Sequence, residues 1–110
     1  MTQQEEILNM QAGIDMDALV AVKIMGINVK HDWHWKHTTK NYSDDISAAW
    51  EVVEKMTEYE VHIMSGLKFK HYPGMPYGAK FENEKFSFVA LGVTAPLAIC
   101  RAALLAVLNA

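Results

Sequence analysis

The stretch TAPLAICRAALLAVL, Thr94 to Leu108, decides the fold. Its body carries a single charge, Arg101. Leu97, Ile99, Cys100, Leu104, Leu105, Val107 and Leu108 surround the helix axis, with Ala98, Ala102, Ala103 and Ala106 between them. A helix that is apolar all round is enclosed on most sides rather than laid on a surface. The run falls short of the ~20 residues that cross a bilayer, so it predicts a core helix and not a membrane span. Thr94 and Pro96 suit its opening, and Gly92 breaks the segment before it. The remaining elements must cover this helix from a sheet on one side and from a second helical layer, or a partner chain, on another.

Working outward, the segments before it alternate in hydrophobicity as strands do. A two-residue Asn83-Glu84 turn sets Phe81 opposite Phe86, Ala79 opposite Phe88 and Glu82 opposite Lys85, which predicts strands over about Ala79–Glu82 and Lys85–Leu91. Tyr59, Val61 and Ile63 alternate with Glu60 and His62, and Leu67 and Phe69 alternate with Lys68 and Lys70. A three-residue loop, Met64 to Gly66, pairs Ile63 with Leu67, Val61 with Phe69 and Glu60 with Lys70. A two-residue Ser65-Gly66 turn mixes apolar and charged residues on one face, so the longer loop is preferred. Ile27 to His37 also reads as extended, with Trp33 and Trp35 on one face and His34 on the other.

Helices are expected over Thr2–Ala12, with Thr2 and Glu5 at capping-box spacing and Gly13 at its end, and over Asp15–Met25, with Asp15 as N-cap. A third spans about Asp45–Met56, capped by Ser43, Asp44 or Asp45. Ile46, Ala49, Trp50, Val53 and Met56 form its expected buried stripe. The order α, α, β, α, β, β, β, β, α predicts an α+β fold: an antiparallel meander of three to five strands with helices packed against it.

The chain of 110 residues has the length of one domain, residues 1–110, and 51% hydrophobic with 21% charged residues argues against disorder. A formal net charge of −3 supplies no general attraction to nucleic acid. The start, MTQQEEILNM, lacks the basic and apolar regions of a signal peptide, which predicts a cytoplasmic protein with no membrane association. One cysteine, Cys100, excludes a disulfide within the chain.

Three segments, MDALVAVKIMG (Met16–Gly26), YSDDISAAWEVVEKM (Tyr42–Met56) and the terminal TAPLAICRAALLAVL, together resemble a family of small phage and prophage proteins of Gram-positive bacteria, the phage ABA-sandwich domain proteins. The resemblance covers most of the chain and implies an α/β/α layered fold and an accessory role in the host cytoplasm. It supplies no catalytic residues to carry over. This chain departs from the family pattern in the middle, where His31, His34 and His37 stand in place of a richer Trp and Gly content.

HDWHWKH, His31 to His37, invites a metal reading, but the alternation that pairs Trp33 with Trp35 turns His34 away from His31 and His37, so no metal site is expected there. Trp33 and Trp35 beside Lys30 and Lys36 resemble a base-stacking platform, which the acidic balance of the chain opposes. Leu67 to Lys80 is the most basic region. Its Lys68, Lys70, His71, Tyr72, Tyr77 and Lys80, around a Pro-Gly loop, are the candidates for binding a small anionic ligand or nucleotide. Cys100 reads as a packing residue rather than a nucleophile. Arg101, alone on an apolar helix, is expected to reach water or to pair with an acid, in a buried ion pair or across an oligomer interface. No nucleophile motif, phosphate-cradling loop or dinucleotide fingerprint occurs. The expectation is a non-enzymatic binding protein without cofactor, working as a homo-oligomer on a small anionic ligand. The alternative is a module that engages a host protein through Tyr72, Tyr77 or Trp35.

Overall fold

The computed structural model describes residues 3–27, 40–65 and 75–109. They form α1 (Gln3–Asn9), α2 (Ile14–Lys23), α3 (Ile46–Lys55), β1 (Glu60–Ser65), β2 (Tyr77–Glu82), β3 (Ser87–Gly92) and α4 (Ala95–Asn109). The strands make an antiparallel sheet in the order β1-β2-β3, and the fold is α+β. The expected extended segment after Ile27 and the expected strand over Leu67–Lys70 lie outside the described residues.

The apolar stretch is the centre of the molecule. α4 packs on β2 and β3, and α1, α2 and α3 pack on α4. Every residue from Pro96 to Ala106 is buried. Cover for this helix therefore comes from within the chain. Each large apolar side chain enclosed here, such as Leu97, Ile99 or Leu104, contributes roughly 1.5–3 kcal/mol of burial free energy. The Thr94 hydroxyl accepts from the Leu97 N–H at 3.4 Å and caps the helix as its position suggests.

α3 forms where expected, and Asp45 is its N-cap: the carboxylate accepts from the Ser47 N–H at 2.9 Å. Its buried stripe keeps Ala49, Met56 and partly buried Val53 of the expected one but not Ile46 or Trp50. Ala48, Ala49, Val52 and Met56 face the core, whereas Ile46 and Trp50 are 51% and 49% exposed. Size is the reason. The face of α4 is rich in alanine, and small residues on α3 let two helices approach where an indole would hold them apart.

α1 and α2 are separate helices. Gly13 stands directly before α2, rather than Asp15, with φ of +152°, a conformation open almost only to glycine. Its N–H donates to the Ser43 hydroxyl at 2.9 Å, and the Ser43 hydroxyl and N–H both donate to an Asp17 carboxylate oxygen, at 2.7 and 2.8 Å. Asp17 and Ser43 are buried, so this network satisfies the polar groups that join α2 to the segment leading into α3.

The sheet differs from expectation in register. Met64 and Ser65 belong to β1 and not to a loop, and β1 pairs with β2, setting Val61 opposite Phe81 and Ile63 opposite Ala79. The turn after β2 is longer by two residues, so Phe81 faces Phe88 and Ala79 faces Ala90. The Asn83 carboxamide makes the difference, accepting from the N–H groups of Lys85 and Phe86 at 2.9 Å each. A shift of two residues keeps every side chain on its own face, which is why alternation alone could not detect it.

β3 turns into α4 through Gly92. A Cβ there would lie 2.8 Å from the Ala98 nitrogen and 3.1 Å from the Thr94 carbonyl oxygen, both backbone atoms that cannot rotate away. Gly92→Ala is expected to destabilise the fold by ~1–3 kcal/mol. Thermal unfolding checks this: an unchanged Tm would show that the corner yields without cost.

Candidate functional site

The register places the outward side chains of the sheet in rows. Glu60 lies opposite Glu82, and beside that row His62 lies opposite Lys80. Their side chains share one face by the two-residue period of the strand. His62 Nε2 lies 3.2 Å from Glu82 Oε1, and Lys80 Nζ lies 3.5 Å from Glu82 Oε2. The ligand atoms of Glu60, His62 and Glu82 all fall within 4.8 Å of one another. The neighbouring end of the sheet carries an open groove of about 510 Å³, lined by Glu58, Tyr59, Glu60, Glu82, Asn83 and Glu84 together with Thr57. Four carboxylates around one groove give it a negative potential that favours cations and repels anions.

Of the residues expected to bind an anion, the two that are described, Tyr77 and Lys80, do not come together. Lys68, Lys70, His71 and Tyr72 lie outside the described residues, as do His31, His34 and His37. Tyr77 opens β2 on the same face as Ala79 and Phe81 and is 36% exposed, while Lys80, three residues on, projects from the opposite face toward Glu82. Tyr77 and Lys80 therefore cannot close on one ligand from the two faces of a sheet.

A second surface stands out on α3. Ile46 and Trp50 occupy consecutive turns on the side away from the core, with partly buried Val53 at their border. Charges of both signs surround them: the Lys40 ammonium contacts the Glu51 carboxylate at 2.7 and 2.8 Å, and Glu54 and Lys55 are exposed. The Glu51 hydrogen bond raises the Lys40 pKa, though an ion pair this open to water adds little stability.

Among the described residues Arg101 meets neither of its expected partners, water or an acid. It is 2% exposed, and among the described residues its hydrogen-bond partners are carbonyl oxygens. The Met10 carbonyl accepts from Nε at 3.1 Å and from Nη2 at 2.8 Å, and the Leu91 carbonyl accepts from Nη1 at 2.8 Å. Burial lowers its pKa from the ordinary arginine value, but a guanidinium stays charged in any protein setting. The positive charge sits beyond the C-terminal end of α1, where the backbone dipoles favour a cation. Arg101 is thus a structural clamp, too enclosed to serve an interface. Cys100 is free and buried, and burial, then the nearby Asp17 charge, push its thiol pKa up. That setting suits packing and opposes thiolate chemistry.

Fold and surface together describe an α+β protein with helices and an antiparallel sheet packed around one buried helix. The match to the Phage ABA sandwich domain over residues 18–104 settles the family, and the chain belongs to it. It is also similar to a phage protein from Bacillus cereus ATCC 14579 known from its crystal structure, with 31% sequence identity, a TM-score of 0.70, and coverage of 87% of this chain and 92% of that one. No curated protein matches this chain. Among the described residues, no helix is long and apolar enough to cross a membrane.

Two buried groups give direct tests. Arg101→Met removes the hydrogen bonds to the part-buried Met10 and Leu91 carbonyls, at a cost of ~1–3 kcal/mol in total, and urea unfolding is expected to show that loss, with Arg101→Lys recovering part of it. The Cys100 thiol is expected to resist an aromatic disulfide reagent at mildly alkaline pH until denaturant is added. Rapid reaction in the native protein would contradict the enclosed position of the thiol.

Proposed function

We propose that this phage-family protein acts by binding rather than by catalysis, and that its first partner is a second copy of itself, docked through the outward face of α3. The observation that carries the reading is Trp50: a tryptophan 49% exposed on the helix, while alanines of the same helix occupy the core-facing side. Tryptophan is the residue type most enriched among the anchors of protein interfaces, and Ile46 one turn away extends the apolar contact. The surrounding Lys40, Glu51, Glu54 and Lys55 suit a two-fold contact, in which a patch must be complementary to itself and each positive group can meet a negative one. A host protein offering an apolar cleft is the second reading of the same face.

The carboxylate-lined groove favours this reading over a small anionic ligand or nucleotide. Lys80 is turned to Glu82, Tyr77 stands on the other face, and the remaining basic candidates, Lys68, Lys70, His71 and Tyr72, lie outside the described residues.

Light scattering coupled to size exclusion tests the proposal. The wild-type chain is expected to run as a dimer or larger at tens of micromolar, and Trp50→Glu as a monomer with an unchanged Tm. A wild-type monomer throughout that range overturns self-association and passes the α3 face to a host partner.

A further inference from the structure

We propose that Glu60, His62 and Glu82 form a binding site for a divalent transition-metal ion, zinc by its ligand chemistry, on the outer face of the sheet. The three side chains come from two paired strands, which hold their Cα positions rigidly: Glu60 and Glu82 are direct partners across the ladder, and His62 follows Glu60 on the same face. Their ligand atoms all lie within 4.8 Å of one another. The His62 Nε2 to Glu82 Oε1 separation of 3.2 Å is close to the ~3.4 Å between nitrogen and oxygen ligands of one tetrahedral zinc ion with bonds of ~2.0–2.2 Å.

A second observation points the same way. Like charges directly opposite each other on neighbouring strands are destabilising, yet Glu60 faces Glu82 across the ladder. A bound dication turns that repulsion into two metal–oxygen bonds. One imidazole with two carboxylates favours zinc or manganese over magnesium and calcium, which prefer all-oxygen shells. Lys80 reaches Oε2 of Glu82 at 3.5 Å, leaving Oε1, the oxygen facing His62, for the metal. Glu58 and Glu84 along the adjoining groove raise the local concentration of cations. Three protein ligands on an exposed face leave a further coordination position to water, or to a carboxylate or imidazole of another molecule.

The decisive experiment is a titration of zinc chloride into untagged, chelator-treated protein by isothermal calorimetry. It covers the wild type, His62→Ala, Glu82→Gln, Lys80→Met, and a variant with His31→Ala, His34→Ala and His37→Ala together. All altered side chains at the proposed site are exposed or half-buried, and circular dichroism checks that each variant is folded. The wild type is expected to bind zinc, His62→Ala and Glu82→Gln to weaken that binding at least ~10-fold, and the triple histidine variant to retain it. Lys80→Met is expected to tighten it by removing a competing cation. No heat of binding up to millimolar zinc overturns the site. So does binding that disappears in the triple variant and survives in His62→Ala, which would place the metal on His31 to His37.

Discussion

A helix without a polar face cannot rest on a surface, and the placement of every other described element follows from enclosing α4. The sheet takes one side and three helices take the rest. The single charged group on that helix had to be accommodated inside the enclosure, and the solution is the Arg101 guanidinium spread over the Met10 and Leu91 carbonyls. A carboxylate in the same place would have required a second buried ion, with its own desolvation cost. Carbonyl oxygens at the end of α1 and on β3 meet the same need with groups the backbone already carries.

Much of this was legible in the residues because burial leaves a direct pattern. α4 is apolar all round, so its position follows from composition. The strand faces follow from alternation: Ala79 and Phe81 share one face in the sequence, and both are fully buried. Less legible were features set by distance between elements. On α3, hydrophobicity singled out Ile46 and Trp50 beside Ala49, but packing against an alanine-rich helix selected Ala48 and Val52 with Ala49. In the sheet, alternation specified which face each residue takes and was blind to a two-residue slip that the Asn83 carboxamide introduces.

The surface features were harder to read for the same reason. Glu60 and His62 are visible in sequence as an outward pair, but their chemistry depends on which strand lies beside them. Pairing with Lys68 and Lys70 describes a solvated, charge-balanced face. Pairing with Lys80 and Glu82 describes a cluster of metal-ligating atoms. Nothing local to β1 distinguishes the two, because strand partners are chosen by global packing. The family resemblance, by contrast, rested on helix sequences that are continuous in the chain, and it identified the phage class without revealing what the surface binds.

The clamp at Arg101 also has a consequence for how the molecule is made. It ties Met10 to a residue 91 positions later, and the helix that carries it is the last described element to leave the ribosome. Until α4 emerges, α1, α2, α3 and the sheet have no shared core to close around. Vectorial synthesis therefore delivers a set of open, apolar surfaces before the piece that seals them. A topology of such long sequence separations folds late rather than segment by segment, and the nascent chain depends on its charged outer faces to remain dispersed until then.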